Sequence, residues 1–357
     1  MGLKLLLGGS PCTHWSIAQT KNRETKAEGI GWELFRNYVI ARDKYQPDYF
    51  LYENNKSMSA AIRQQITAEL GVEPVLINSA LVSAQNRQRL YWVGKRNPDG
   101  TYSQVPVEQP EDRGILLRDI LEIGIAWREK SYTLDAHYGG TAGRYNPKKQ
   151  HSYARHMAAE PVNTTSDGKA KCLRATCYKD GIRNLIGNDV DKRTCVAVSV
   201  DGETRTAYEV RDGRIRVGDK DYPIKLRDGC YIIRKLTVAE CRRLQTVPDA
   251  YAFPVSDTQA YKMLGNGWTV DVIVYLLSHC EGLTEEPVEV LSMYDGMSCG
   301  HIALDKLGVD VSAYYATEID KYAIETTQHN YPDTMQLGDA FRIRNPDWAL
   351  PREEENI

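Results

Sequence analysis

The strongest constraint in this sequence is a change of pattern that occurs twice. Short apolar runs at Lys4 to Leu7, Tyr49 to Tyr52, Pro74 to Ile77 and Leu90 to Val93 alternate with helical stretches from about Ile30 to Lys44 and from about Ser59 to Leu70. Runs of that length between helices predict a parallel sheet with helices on its faces. After Lys95 the alternation stops. Up to Arg234 the chain carries Gly, Pro and Asp-Gly punctuation with β-rich runs at 208–210, 214–217, 222–226 and 230–233. These read as a meander turning at Arg211-Asp212-Gly213 and Arg227-Asp228-Gly229. Helical signals return at Thr237 to Gln245, where Thr237 and Glu240 complete a capping box, and at Val270 to Cys280. Glu281 to Glu286 reads as an acidic linker, after which the α/β alternation resumes. Strands are expected at Val288 to Tyr294, Val311 to Thr317 and near Thr334 to Leu337, with helices at Ile302 to Leu307 and from about Lys321.

The expected architecture is a mostly parallel α/β core written in two pieces around a smaller β-rich unit. Residues 1–95 and 288–345 form the halves of the core and 96–233 the inserted unit. Residues 234–280 return to the core, 281–287 link, and 346–357 form a frayed tail.

Composition narrows the partners. Hydrophobic residues make up 42% and charged residues 26% of the 357, ordinary for a globular chain, and no apolar run approaches the roughly 20 residues of a membrane span. Met1 to Gly9 is too short for a signal peptide and runs into a Gly-Ser-Pro-Cys turn, so a cytosolic chain is expected. The net charge of -3 conceals an asymmetry: from Arg128 to Lys235 there are 22 Lys+Arg against 14 Asp+Glu, an excess of +8, leaving the remainder at -11. A basic unit beside an acidic core suits a phosphate-binding surface, and an ordinary solvated face has the same composition. The eight cysteines contain no C-x-x-C pair and are too sparse for a disulfide framework. Cys172 and Cys177 lack a second pair at ligand spacing, so no zinc or other metal is expected.

Chemistry concentrates where strands end. Gly8-Gly9-Ser10-Pro11-Cys12 follows the first strand, and a strand-end turn can give a thiol the exposure and lowered pKa of a nucleophile. Glu53-Asn54 follows the second. In Gln85-Asn86-Arg87-Gln88-Arg89 the alternate positions Arg87 and Arg89 share one face of extended chain and can enter one pocket. In Tyr294-Asp295-Gly296-Met297-Ser298, a small-residue turn between strand and helix places N–H groups against an anionic or carboxylate group. Glu318 and Asp339 end the next strands, where they can accept from ribose hydroxyls and from an adenine amino group; helix-capping acids would look the same.

Together these segments resemble the cytosine-C5 DNA methyltransferase family, with Gly-Ser-Pro-Cys as nucleophile loop, Glu-Asn as the acid and Gln-Asn-Arg-Gln-Arg as the paired arginines. The later segments Arg234 to Asp249 and Leu264-Gly265-Asn266-Gly267 are similar as well, and Val-Leu-Ser-Met-Tyr-Asp-Gly-Met is similar in wording to the de novo branch. The order is circularly permuted: in the family the cofactor strand comes first and the Pro-Cys loop fourth. The resemblance implies a Rossmann-like fold with a target-recognition domain, S-adenosylmethionine as methyl donor, double-stranded DNA as partner and a flipped cytosine as substrate. It implies Cys12 as the nucleophile at C6, Glu53 at N3, and Arg87 and Arg89 as fixed positive charge. It carries Tyr294, Asp295, Gly296, Met297 and Ser298 to the methionine moiety, Glu318 and Ile319 to ribose and adenine, and Asp339 with Ala340 to the adenine amine. Pro11, Asn266, Trp268 and Thr269 close that site, although a core Trp would look the same at 268. A monomer is expected, in the cytoplasm of a bacterial or phage-infected cell, with restriction, phage protection and regulation all open as roles. The competing readings are an RNA or tRNA methyltransferase on the same core, and a DNA-binding relative without activity.

Overall fold

The computed structural model describes residues 2–17, 23–122, 124–126, 128–131, 133–134, 136, 157–161, 197–200, 203–217 and 220–351. The first part of the chain gives β1 (Leu3–Gly8), α1 (Gly29–Tyr45), β2 (Tyr49–Asn55), α2 (Ala60–Leu70), β3 (Val75–Asn78), β4 (Gln88–Arg96), β5 (Tyr102–Gln104) and the short α3 (Leu117–Ile120). β2 is buried along its whole length, as expected of a strand covered on both faces. Ser59 caps α2 by accepting from the Ile62 N–H, and Gly71 ends it in the left-handed conformation.

A second sheet follows: β6 (Met157–Pro161), β7 (Ala197–Val200), β8 (Glu203–Arg211), β9 (Arg214–Val217), β10 (Lys220–Pro223) and β11 (Gly229–Lys235). Its order is β10-β9-β8-β11-β6, with β7 on β8, and every pairing is antiparallel. Asp212 (φ 52°) and Gly213 (φ 65°) form the two-residue turn between β8 and β9, a geometry that suits the twist of a hairpin. The third expected run, 222–226, is strand only in its first part. β10 stops at Pro223, and Ile224 and Leu226 instead fill a small core with Val210, Ile215 and Tyr231. Before that sheet, Val105, Leu117, Ile120 and Leu134 still pack into the core of the first one. Cys172 and Cys177 lie outside the described residues.

The chain then gives α4 (Val238–Leu244), α5 (Asp257–Asn266), α6 (Val270–Leu277), β12 (Val288–Met293), α7 (Cys299–Leu307), β13 (Val311–Thr317), α8 (Lys321–Asn330) and β14 (Met335–Gln336). β12 joins the first sheet directly beside β1, so the two pieces of α/β pattern build one eight-stranded sheet in the order β14-β13-β12-β1-β2-β4-β3, with β5 on β4. From β14 to β2 it is parallel. β4 runs the other way between β2 and β3, and β5 is antiparallel to it. The expected parallel sheet is therefore mixed at one side, because the connection from β3 to β4 carries no crossover helix and the chain must turn back. Successive side chains divide the core: Leu5, Leu7 and Leu51 pack with α6 and α7 on one face, and Leu6, Phe50 and Tyr52 with α1 and α2 on the other. The register sets Gly8 level with Met293 and Tyr52, and Met293 level with Thr317, so four strands release their loops at one edge.

Candidate active site

A cavity of about 510 Å³ opens at that edge. On one side lies the loop after β1. Gly9 is forced to be small: a Cβ there would stand 3.0 Å from both the carbonyl and Oε2 of Glu53. Ser10 is buried and exchanges a 2.7 Å hydroxyl contact with Tyr52, while the Asn54 amide donates to the Ser10 carbonyl at 3.1 Å. This ties the loop to the end of β2. Pro11 and Thr13 line the cavity on either side of Cys12, which starts a 3-10 turn running to His14. The structure describes the Cys12 backbone; its thiol lies outside the described side chains.

Glu53, near the end of β2, is buried at the cavity wall. In the antiparallel ladder it faces Tyr91, so Arg89 sits diagonally on the same face, and its Nε lies 3.1 Å from Glu53 Oε1. Trp268 Nε1 donates to Glu53 Oε2 at 3.0 Å. Arg87 lines the same cavity but is committed elsewhere. Its guanidinium donates to the carbonyls of Leu134 (3.0 Å), Gly265 (3.3 Å) and Gly267 (2.8 Å). The two arginines thus enter one pocket and divide the work: Arg89 holds the acid, and Arg87 holds backbone.

The turn after β12 forms the opposite wall. Tyr294, Gly296 and Ser298 all have positive φ, near 60°. Thr317, at the end of β13, takes the Tyr294 N–H on its hydroxyl (3.0 Å) and the Asp295 N–H on its carbonyl (3.1 Å), and Gly296 donates to Glu318 Oε2 at 2.8 Å. Glu318 Oε1 accepts from the N–H groups of Ile319 and Asp320 at 2.7 and 2.8 Å. Asp295 accepts from Tyr314 at 2.8 Å and from the Ser298 hydroxyl. Burial pushes its carboxyl up from 3.8 to about 6; the hydroxyls of Ser292, Ser298 and Tyr314 pull the other way, and the Glu318 charge adds to the rise. Asp339 caps the turn Ala340–Arg344 through a 2.9 Å bond from the Phe341 N–H.

Tyr294, Asp295, Gly296, Met297, Glu318, Ile319, Asp339, Ala340, Asn266 and Trp268 all line the cavity. Two of the expected residues stand behind it. Ser298 is fully buried and bonds Asp295 and Thr327, and Thr269 is buried with its hydroxyl on Gln245. The sequence reading missed Thr317, which has no motif of its own, and the Lys262–Asp320 ion pair (2.7 Å) at the cavity wall, whose members lie far apart in the chain. It also gave no role to Gln245, a buried amide that donates to the Leu264 carbonyl at 2.5 Å and accepts from Thr269 at 2.9 Å.

The residues present fit an adenosine-bearing methyl donor. Ile319 is 75% exposed beside the cavity that it lines, an apolar surface suited to a flat ring. The carboxylates of Glu318 and Asp339 flank it at successive strand ends, and a Cβ on Gly296 would meet nothing within 4 Å. Among the described residues, no group of three or more His, Cys, Asp or Glu is placed to hold a metal ion, and no helix is long and apolar enough to cross a membrane.

A largely parallel sheet that collects a thiol-bearing loop, a paired carboxylate and an acid-lined turn at its carboxyl edge places the chain among the α/β methyltransferases. It belongs to the C-5 cytosine-specific DNA methylase family, whose model matches residues 2–282. The match opens at the Pro-Cys side of the sheet and ends before β12, in keeping with the permuted order. The chain is similar to the Type II methyltransferase M.HpaII of Haemophilus parainfluenzae, 28% identical over an alignment of 285 residues that covers 75% of this chain and 69% of that protein. It is also similar to a DNA-cytosine methyltransferase of Escherichia coli K12, 28% identical over 306 residues (75% of this chain, 58% of the other). Among solved structures, S. pombe Dnmt2 methyltransferase matches with 14% identity and a TM-score of 0.37, covering 77% of this chain and 76% of that one.

Proposed function

We propose that this enzyme methylates C5 of a cytosine swung out of duplex DNA, with Cys12 as a transient covalent nucleophile and S-adenosylmethionine as donor. One observation carries the reading: a single cavity is lined by the residues flanking Cys12, by the Glu53–Arg89 pair and by the Tyr294 to Met297 turn with Ile319. Cytosine C5 is a weak nucleophile. A Cys12 thiolate adding to C6 forms the C6–S bond and sends the displaced electron pair toward C5, while Glu53 delivers a proton to N3 and so neutralises the ring. Arg89 fixes the Glu53 carboxylate and supplies positive charge close to the ring. The bound cofactor supplies an electrophilic methyl group. Loss of the C5 proton to a base, breakage of the C6–S bond and return of the N3 proton to the Glu53 carboxylate then restore the neutral aromatic base, the free thiolate and the acid.

Tyr294 to Met297, Glu318, Ile319 and Asp339 would hold the donor, with Asn266 and Trp268 at the wall between it and the base. Because Val105 to Leu134 still belong to the large core, we place the DNA-reading unit after Leu134, in the basic stretch up to Lys235.

The test uses labelled S-adenosylmethionine with duplex DNA, single strands and tRNA. Methyl transfer to duplex DNA is expected, together with a denaturation-resistant protein–DNA adduct on DNA carrying 5-fluorocytosine, whose C5 substituent cannot leave as a proton. Cys12→Ser should abolish both, and Glu53→Gln should slow turnover at least about 100-fold. Wild-type turnover by Cys12→Ser would overturn the covalent mechanism, and transfer confined to tRNA would move the substrate to RNA.

A further inference from the structure

Three elements meet at one bond, that from the Trp268 indole N–H to Glu53 Oε2, at 3.0 Å. The nucleophile loop crosses directly over it, since a Cβ on Gly9 would stand 3.0 Å from Glu53 Oε2 and 3.4 Å from Trp268 Nε1. The segment that carries Trp268 is pinned from two other sides. Arg87 holds the Gly267 carbonyl at 2.8 Å and the Gly265 carbonyl at 3.3 Å. On the cofactor side, a Cβ on Gly267 would stand 3.1 Å from Cys299 Sγ and 3.8 Å from Met297 Sδ, and Cys299 Sγ donates to the Trp268 carbonyl at 3.8 Å. Met297 and Cys299 belong to the turn and helix start that bound the cofactor side of the cavity.

We propose that Trp268 is the positioning residue of Glu53 and the mechanical link between the cofactor turn and the base site. This rests on the reading of Glu53 as the acid at N3. Each carboxylate oxygen of Glu53 has one protein partner: Arg89 Nε forms an ion pair at 3.1 Å from Oε1, and Trp268 Nε1 donates a hydrogen bond to Oε2. A charge contact on one oxygen and a directed N–H bond on the other, from different elements, fix both the position and the twist of the carboxylate, whereas the less directional Arg89 ion pair alone leaves it free to rotate. A carboxylate oxygen has two lone pairs, so Glu53, which lines the cavity, can engage a base without giving up either partner. Any shift of the Met297–Cys299 backbone when the donor binds is passed through Gly267 to the indole and so to the acid. Trp268 therefore acts on the chemical step, beyond serving as a wall of the cofactor site.

The experiment compares steady-state kinetics of Trp268→Phe, Trp268→His and wild type, with S-adenosylmethionine binding measured by calorimetry and folding by thermal melting. Trp268 is only half-buried, so Phe is expected to be accommodated. Trp268→Phe keeps the apolar ring and removes only the donor: kcat is expected to fall tenfold or more, with KM and Kd for S-adenosylmethionine within about twofold. Trp268→His, which can present a ring N–H, should recover part of the lost kcat. A tenfold or greater rise in KM and Kd with kcat unchanged would show a cofactor wall only and overturn the proposal, as would kcat within twofold of wild type. A melting temperature that falls with no recovery by Trp268→His would also overturn it, in favour of a packing role. Cys12→Ser and Glu53→Gln assayed in parallel separate the two claims. If both are inactive while Trp268→Phe is normal, the coupling fails and the mechanism stands; if both are active, the mechanism itself fails.

Discussion

Asp295 is a cavity-lining residue whose ionisation works against the fold. Its carboxyl, half-buried in the turn after β12, is raised from 3.8 to about 6 by desolvation, so the native state holds a proton that the unfolded chain has released between those values. The stability from this group is therefore greatest at low pH and is lost as pH rises through that window, reaching a penalty of at most roughly 3 kcal/mol above it. Asp295→Asn, a neutral isostere, should be more stable than wild type at pH 8 by up to that amount, with the advantage shrinking toward zero near pH 4. The wild-type curve alone will hide this. His301 stacks between the rings of Tyr314 and Tyr331, with centroids at 4.4 and 3.8 Å, and burial pushes its pKa down to about 4 while Asp305 opposes the shift. That histidine loses stability as pH falls through the range from 6.5 to 4, the opposite slope. Urea unfolding of the variant and wild type from pH 5 to 8 isolates the Asp295 contribution as a difference. A difference that does not change with pH would refute it. Neither effect is legible in the sequence, where Asp295 is one acid in a turn and His301 one of seven histidines. Arg87 carries the same lesson. Alternation correctly put it in the pocket with Arg89, but only the fold shows the carbonyls that occupy it.

At the scale of elements, local signals were readable wherever the backbone itself imposed them. The capping box of α4 is present as expected, with the Glu240 N–H donating to the Thr237 hydroxyl at 3.1 Å and the Thr237 N–H to Glu240 Oε2 at 2.8 Å. Its second duty was not readable. Glu240 is fully buried, pairs with Arg234 at 2.7 Å and accepts the Glu122 N–H at 2.9 Å, so one side chain fastens the end of β11 and the 117–122 segment to the helix. Removing only the cap by Thr237→Ala should cost about 1 kcal/mol. Glu240→Ala leaves the Arg234 charge without its carboxylate and should cost roughly 3–5 kcal/mol. Urea titrations of the two variants provide the check, and equal costs would reduce Glu240 to a simple cap. α5 shows the reverse failure. Its ten residues, Asp257 to Asn266, have a short apolar face ending in Gly-Asn, and they become helical because Tyr261, Met263 and Leu264 are buried against distant parts of the core. The direction of β4 was invisible for a related reason: alternation of strands and helices cannot announce a reversal made by a short connection.

For the whole molecule, the permuted order is a matter of where the chain is opened, and the sheet shows why that is tolerated. β1 lies in the middle, level with β12 on one side and β2 on the other, so the Cys12 loop and the Tyr294 to Ser298 turn leave adjacent strands although 288–293 and 3–8 are far apart in the chain. The sheet is closed by pairing rather than by connectivity, and most of its stability resides in the buried faces. The two seams also lie side by side, since the Leu3 N–H donates to the Pro287 carbonyl at 2.9 Å and Pro287 leads into β12. A rearranged chain that begins at Glu286, runs through Pro351, crosses a Gly/Ser linker of about 15 residues and continues from Gly2 to Gly282 keeps every one of these contacts. Such a linker has a root-mean-square span of roughly 20 Å. The rearranged protein should therefore methylate the same cytosines as the parent, with kcat within about threefold and a similar urea midpoint. A selective fall in adduct formation with cofactor affinity intact would show that the Cys12 loop is sensitive to a tether placed ahead of β1. Loss of cofactor binding and activity together would show that the segment between Gly282 and Glu286 is needed to hold the two halves in register.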